Sequence, residues 1–273
     1  MTAENVRIGV IGGSGVYRLF PDGVGEQRAI ETPFGVTVTV TVGEIGGRRV
    51  AFLPRHGADH SVPPHRLDGR PVAWALATLG VRAIISTAAV GSLTPDIPVG
   101  SLVLADQLVD RTYGRPQTFF DADLVRHLPF SDPFCPELHA VALGAVDGLV
   151  PTASVVVIQG PRFSTRAESR INRSAGIDLV NMTLLPEVAL AAELGMGTAT
   201  LCVVTDVDSG EQAEDAVTAE AVFSRLAAAE PHILEAIGAI ARAIPVDYAG
   251  RPLIDADAVA SVLGWPIVTG ATA

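Results

Sequence analysis

Short apolar runs alternate with stretches of helical period along the whole chain, and nearly every run ends in glycine or polar side chains. A strand that is apolar throughout has to be covered on both faces, and helices between strands supply that cover. The runs at residues 6–11, 49–53, 83–86, 102–105, 154–158, 177–180 and 198–204 predict buried strands. Residues 36–42 alternate valine with threonine, which predicts a half-buried strand with its valines inward. Helical patterns cover residues 71–79, opened by Pro71, then 137–150, 164–174, 186–194 and 217–244. Thr165 and Glu168 stand at capping-box spacing. The expectation is an α/β fold: a single domain over residues 1–273, with a central mixed β-sheet flanked by helices. Residues 248–273 are expected to form a C-terminal extension, with a short helix at 255–263, crossing onto a neighbour.

Composition narrows the chemistry. Acidic residues number 30 against 19 basic ones, a formal charge of −11, which argues against nucleic acid or an anionic membrane as a partner. Every basic residue is arginine, so a catalytic lysine, a pyridoxal anchor and a G-x-x-x-x-G-K-[ST] phosphate loop are all excluded. Cys135 and Cys202 stand far apart, without the spacing of a zinc ribbon or a disulfide framework. The N-terminal residues lack the pattern of a signal or transit peptide, and no apolar run is long enough to span a membrane. The expected setting is the cytoplasm.

The polar clusters at the strand ends are the candidate site, because open α/β sheets bind ligands there. Gly9 to Gly15, with Ser14, reads as an anion-binding turn or as a plain strand-to-helix turn. Its spacing is not G-x-G-x-x-G, which counts against a nicotinamide-dependent dehydrogenase. Arg55 and His56 can grip a phosphate, Arg55 bidentately and His56 as a second donor. His56, His60 and His65 offer a rival metal site, and a polar surface loop is the third reading. Thr87 to Leu93 reads as a tight turn, or as a place where small residues let a ligand approach. Gln159 to Ser169 holds Phe163, which can stack on a flat ring, and Ser164, while Arg166 and Glu168 also suit a solvated helix face. Thr183 can face an anion, whereas the neighbouring Met182 reads as core or as site. Asp206 and Asp208 follow a buried run one residue apart. On extended backbone they point the same way, and mutual repulsion would raise one pKa. A helix cap and a divalent-metal site are the competing readings of that pair.

In this order the pieces I-G-V-I-G-G-S-G, T-P-F-G, R-H-G, G-S-L, D-Q-L-V-D-R-T, R-P-Q-T-F-F-D, D-P-F-C-P, G-P-R-F-S-T-R-A-E-S, N-M-T-L-L-P-E and T-D-V-D run from Ile8 to Asp208. The ordered set resembles the trimeric purine nucleoside phosphorylase family, most closely its S-methyl-5'-thioadenosine phosphorylase branch. The resemblance implies a homotrimer that cleaves a purine nucleoside with inorganic phosphate as co-substrate, without metal or other cofactor. It implies phosphate binding by Ser14, Arg55, His56, the Ala89 backbone N–H and Thr183. Met182 would line the ribose, and Phe163, Ser164, Asp206 and Asp208 would hold the purine. Asp206 would protonate the leaving base, so Asp206, Asp208 and His56 are the catalytic candidates. Ala219 and Val222 match 5'-pocket positions, and His127 matches a residue supplied by the neighbouring subunit. The paired aspartates look like the 6-aminopurine version, since carboxylates accept from an exocyclic amine. One departure is clear: the family's N-Y-[RQ]-A-N stretch is here Asp68-Gly69-Arg70-Pro71-Val72. The alternatives are a 6-oxopurine or methylthioinosine phosphorylase, and a non-catalytic nucleoside-binding protein.

Overall fold

The computed structural model describes residues 6–21, 23–57, 59–121, 124–208 and 217–268. Its strands are β1 (Ile8–Gly12), β2 (Glu26–Glu31), β3 (Thr37–Ile45), β4 (Arg48–Pro54), β5 (Ala83–Ser92), β6 (Leu102–Leu104), β7 (Gln107–Arg111), β8 (Ser154–Ile158), β9 (Leu179–Asn181) and β10 (Gly197–Asp206). The helices are α1 (Gly69–Thr78), α2 (Pro136–Ala145), α3 (Arg166–Ser174), α4 (Leu184–Glu193), α5 (Ala219–Ala243) and α6 (Ala256–Leu263). Together they make a single α/β domain around one ten-stranded mixed sheet, ordered β2-β3-β4-β1-β5-β9-β8-β7, with β10 on β5 and β6 on β10. The parallel pairs β1–β4, β1–β5 and β5–β10 form the centre, and the antiparallel β2–β3–β4 meander forms one edge.

Every residue of β1 and β10 is buried, which is why these runs are apolar without alternation. Leu53, Trp74, Leu76, Leu190 and Val262 belong to a core on one side, shared with α1, α4 and α6. Ile8, Val10, Phe52, Leu201 and Ile237 belong to a second core, shared with α2 and α5. Each fully buried aliphatic side chain contributes about 1.5–3 kcal/mol to this arrangement. In β3, Val38, Val40 and Val42 are buried as expected, whereas Val36 precedes the strand and is half exposed.

Several expectations need correction. Residues 87–92 are not a turn, because β5 continues through them, paired with β10 as far as Gly91. Pro71 lies inside the first turn of α1, and Asp68 is the N-cap, accepting from the Arg70 N–H. Helix α2 ends at Ala145, and the chain turns so that Val150 bridges Val103. The tail turns back onto its own chain through residue 265. Arg251 donates to the Pro133 and Phe134 carbonyls, and Trp74 Nε1 donates to Val262 O at 3.0 Å. Buried Ile254, Ala258 and Val262 pack that segment against its own chain, while Ile267 and Val268 beyond them are exposed. Among the described residues, no helix is long and apolar enough to cross a membrane.

Candidate active site

The sheet opens at one place. β1 pairs with β5 only as far as Ile11 and Ser86, and β9 takes up the same edge of β5 at Gly91. Between these points the edge of β5 is vacated by its neighbours. Arg55 Nη1 reaches into the gap to donate to Thr87 O, and Asn181 Nδ2 donates to Ala89 O. The N–H and C=O of one strand residue project to the same edge, so the Ala89 N–H also faces the gap. Gly13 closes its upper side, donating its N–H to Thr87 Oγ1 at 2.8 Å. A Cβ on Gly13 would stand 2.3 Å from Thr87 O, so the approach is open to glycine alone.

The gap leads into a cavity of about 530 Å³. Ser14, Arg55, His56, Ala89, Phe163, Ser164, Met182, Thr183, Asp206, Asp208, Ala219 and Val222 all line it. Twelve of the thirteen site residues implied by the family resemblance thus meet in one place. His127 does not line the cavity; it is exposed on the loop before α2. Ala58, inside the Arg55–His60 stretch, lies outside the described residues.

Arg55 does not present a bidentate face. Its Nε and Nη2 donate to Glu187 at 2.6 and 2.8 Å, and Nη2 also donates to Ser86 Oγ at 2.8 Å. A buried guanidinium needs a counter-charge, and Glu187 on α4 supplies one. With Thr87 O taking an Nη1 proton, four of the five N–H groups are engaged, so an anion meets Arg55 edge-on or displaces Glu187.

His56 also differs from expectation. Its Nδ1 lies 2.8 Å from Val62 O; a carbonyl only accepts, so Nδ1 carries the proton. The pKa is pushed down to about 4, chiefly by burial; the Val62 bond opposes the shift, and the charges of Arg55 and His60 add to it. The ring is therefore neutral near pH 7, with Nε2 an acceptor, and it donates to an anion only once protonated. Because the folded pKa lies below the ordinary 6.5, the unfolded chain takes up the extra proton first. Stability attributable to His56 is complete above pH 6.5 and is lost as the pH falls towards about 4. His56→Gln should flatten that decline in urea unfolding; curves parallel to those of the parent would count against it.

The acidic pair is shaped by a bulge. The β5–β10 register slips between Val204 and Asp206, and Asp208 has φ +52°, so the two carboxylates do not project from plain extended backbone. Instead the Asp208 N–H donates to Asp206 Oδ1 at 2.9 Å, and Thr205 Oγ1 donates to Asp206 Oδ2 at 2.8 Å. Asp206 is raised, as anticipated for one of the pair, but burial is the main cause and the Asp208 charge adds less. Asp208 is held by the hydroxyl of buried Ser169 on α3. Opposite them, Ser164 Oγ is buried without a hydrogen-bond partner among the described residues, and Phe163 stands partly exposed before the Thr165–Glu168 capping box of α3.

The remaining wall is aromatic and aliphatic. Phe223 meets the His60 ring edge-on at 5.3 Å, and His60 lies 4.5 Å from His56 and bonds Tyr17. His65 is not part of the cavity lining, and no three His, Cys, Asp or Glu residues come together as a metal-binding group among the described residues. The divergent Asp68–Val72 stretch sits behind the site. Asp68, Gly69 and Val72 line a cavity of about 30 Å³ beside Arg55, Thr183 and Glu187.

The sequence profile of the phosphorylase superfamily matches residues 7–239. The chain belongs to that superfamily. Among its relatives, an S-methyl-5'-thioadenosine phosphorylase of Mycolicibacterium smegmatis is 51% identical, over 80% of this chain and 83% of the relative. A 6-oxopurine nucleoside phosphorylase of Pyrococcus furiosus is 42% identical, over 79% of this chain and 85% of the relative. The solved structure of a methylthioadenosine phosphorylase from Schistosoma mansoni, in complex with adenine, superposes with a TM-score of 0.82 at 32% identity, covering 95% of this chain and 96% of that one.

Some residues of this phosphorylase escaped the sequence reading. In the sequence His60 carries only the signal of a metal ligand, and Phe223 and Tyr17 carry none. Asn181 draws less notice in the sequence than Thr183, yet it ties Ala89 to the start of α4, its Oδ1 accepting from the Thr183 and Leu184 N–H groups at 2.7 and 2.9 Å. The available signal was position: Asn181 ends a buried strand, where a polar side chain needs a reason.

Proposed function

We propose that the protein is an S-methyl-5'-thioadenosine phosphorylase, releasing adenine and 5-methylthioribose-1-phosphate. The observation that carries this reading is one cavity joining the open β5 edge to the buried Asp206 and Asp208, beside the apolar Ala219, Val222 and Phe223. Phosphate sits at the edge, on Ser14, Arg55, the Ala89 N–H and Thr183, with the neutral His56 ring accepting from a phosphate O–H at Nε2. The purine lies between Phe163 and the acidic pair, with Ser164 and Asp208 on its polar rim. Met182 lines the ribose.

Glycosidic cleavage builds positive charge on the sugar and negative charge on the base. The phosphate anion offsets the first and attacks C1'. Asp206, whose pKa is raised chiefly by burial, gives its proton to the departing base. Both charges are handled without a metal or other cofactor, and inorganic phosphate is a substrate. Asp208 accepts from an exocyclic amine, which favours adenine over a 6-oxopurine. The apolar wall favours methylthio over hydroxyl at the 5' position, by about 1–3 kcal/mol for one small group. In this reading the enzyme is a cytoplasmic homotrimer, and His127 completes the 5' pocket of the neighbouring subunit.

Base release from methylthioadenosine, with and without phosphate, tests the proposal beside adenosine, inosine and methylthioinosine. Phosphate-dependent adenine release, fastest from methylthioadenosine, is expected. Faster release from a 6-oxopurine would overturn the reading of Asp208, and binding without release would identify a nucleoside-binding protein instead.

A further inference from the structure

Arg115 lies on the loop after β7, outside the cavity lining, yet it is bonded to both segments that build the nucleoside end. Its Nε donates to Gln159 Oε1 at 3.2 Å and its Nη2 to Gln159 O at 2.7 Å. Its Nη1 donates to Met182 O at 2.9 Å and Leu185 O at 2.8 Å. Gln159 begins the loop that carries Phe163 and Ser164; Met182 and Leu185 flank Thr183. The side chain is 7% exposed, and among the described residues no carboxylate lies within ion-pair distance of it. Burial accordingly lowers its pKa, opposed only by the charge of Asp110. A buried cation without a counter-ion is a poor way to gain stability, and an apolar side chain would fill the space at lower cost. What the planar fork supplies is direction: donors fixed in one plane, aimed at two loops that leave adjacent strands β8 and β9.

We infer that Arg115 is a positioning residue, which sets the spacing between the base-binding loop at Phe163–Ser164 and the ribose-binding segment at Met182. The inference rests on the proposed function. Contacts to a bound base are sensitive to displacements of about 1 Å, so loosening this clamp should act on base binding. The phosphate end should be affected much less, because Arg55, His56 and Ala89 are held by other partners, and Thr183, although flanked by the Arg115-bonded carbonyls, has its N–H held by Asn181.

Titration calorimetry on the full-length protein, with adenine and with inorganic phosphate as separate ligands, tests this on Arg115→Lys and Arg115→Met. The lysine variant keeps the charge without the fork and should melt near the parent. Adenine should bind about 10-fold more weakly to Arg115→Lys and about 100-fold more weakly to Arg115→Met, with phosphate affinity changed less than about 3-fold in both. If the methionine variant fails to fold, the lysine variant carries the comparison. Unchanged adenine affinity in a folded variant would overturn the inference. So would an equal loss for adenine and phosphate, the mark of a general loosening. A parent protein that binds no adenine refutes the functional reading itself, before any variant is compared, and this inference falls with it.

Discussion

Asp206→Asn should lower kcat for adenine release by about 10²–10⁴-fold while leaving the protein folded. The amide matches the carboxyl in size and can still donate a hydrogen bond to the base, so the nucleoside KM should move little. What it cannot do is give up a proton as the base departs. Local structure should survive the change. The Asp208 N–H can still donate to the side-chain oxygen of the variant, as it now does to Asp206 Oδ1. The Thr205 hydroxyl, which donates to Asp206 Oδ2, also lies 3.3 Å from Val90 O and can turn there, accepting from the new amide. The sign of the pH dependence follows from the raised pKa. The working form is protonated, so activity through Asp206 is present below its folded pKa and is lost as the pH rises through it. Asp206→Asn should remove that alkaline limb. Steady-state base release across pH, with a melting curve for each protein, checks all of this. Full turnover in a folded variant would remove Asp206 from the proton-transfer role.

Much of this was legible because burial leaves a strong imprint. β1 and β10 are buried along their length, and a continuous apolar run ending in glycine or aspartate shows both the strand and its functional end, whereas the small and polar second half of β5 hides that strand's continuation. Edge strands leave little. β2, Glu-Gln-Arg-Ala-Ile-Glu, and β7, Gln-Leu-Val-Asp-Arg, are largely exposed, so nothing apolar recurs and neither was anticipated. The candidate site was legible as a set of residues and less so as a geometry. That Arg55 would be captured by Glu187 depends on a contact 132 residues apart, and Asn181 meets Ala89 across 92. Such pairings are products of the fold and have no local signature. The bulge at Thr205 belongs to the same class: it re-aims Asp206, yet Thr-Asp-Val-Asp reads equally well as straight strand.

The second large effect should fall on stability. Glu187→Gln should cost about 3 kcal/mol, the lower end for breaking a buried ion pair, because glutamine keeps the volume and one acceptor but leaves Arg55 without a counter-charge. In a chain of this size that corresponds to a fall in Tm of roughly 5 °C. Ser86 adds to the loss, since its Oγ donates to Glu187 Oε1 at 2.7 Å and also accepts from Arg55. The effect should depend on phosphate in a way that only the proposed site explains. A ligand that binds the folded state at 100 times its Kd stabilises by about 2.7 kcal/mol. In the parent, part of the attraction between anion and Arg55 is offset by repulsion from Glu187. In Glu187→Gln that repulsion is gone, and the guanidinium fork is free to turn towards the anion. The rise in Tm on saturating with phosphate should therefore be larger in the variant than in the parent. Melting curves with and without phosphate give the comparison directly. An equal or smaller rise in the variant would mean that the anion does not reach Arg55, and the phosphate end of the cavity would have to be drawn without it.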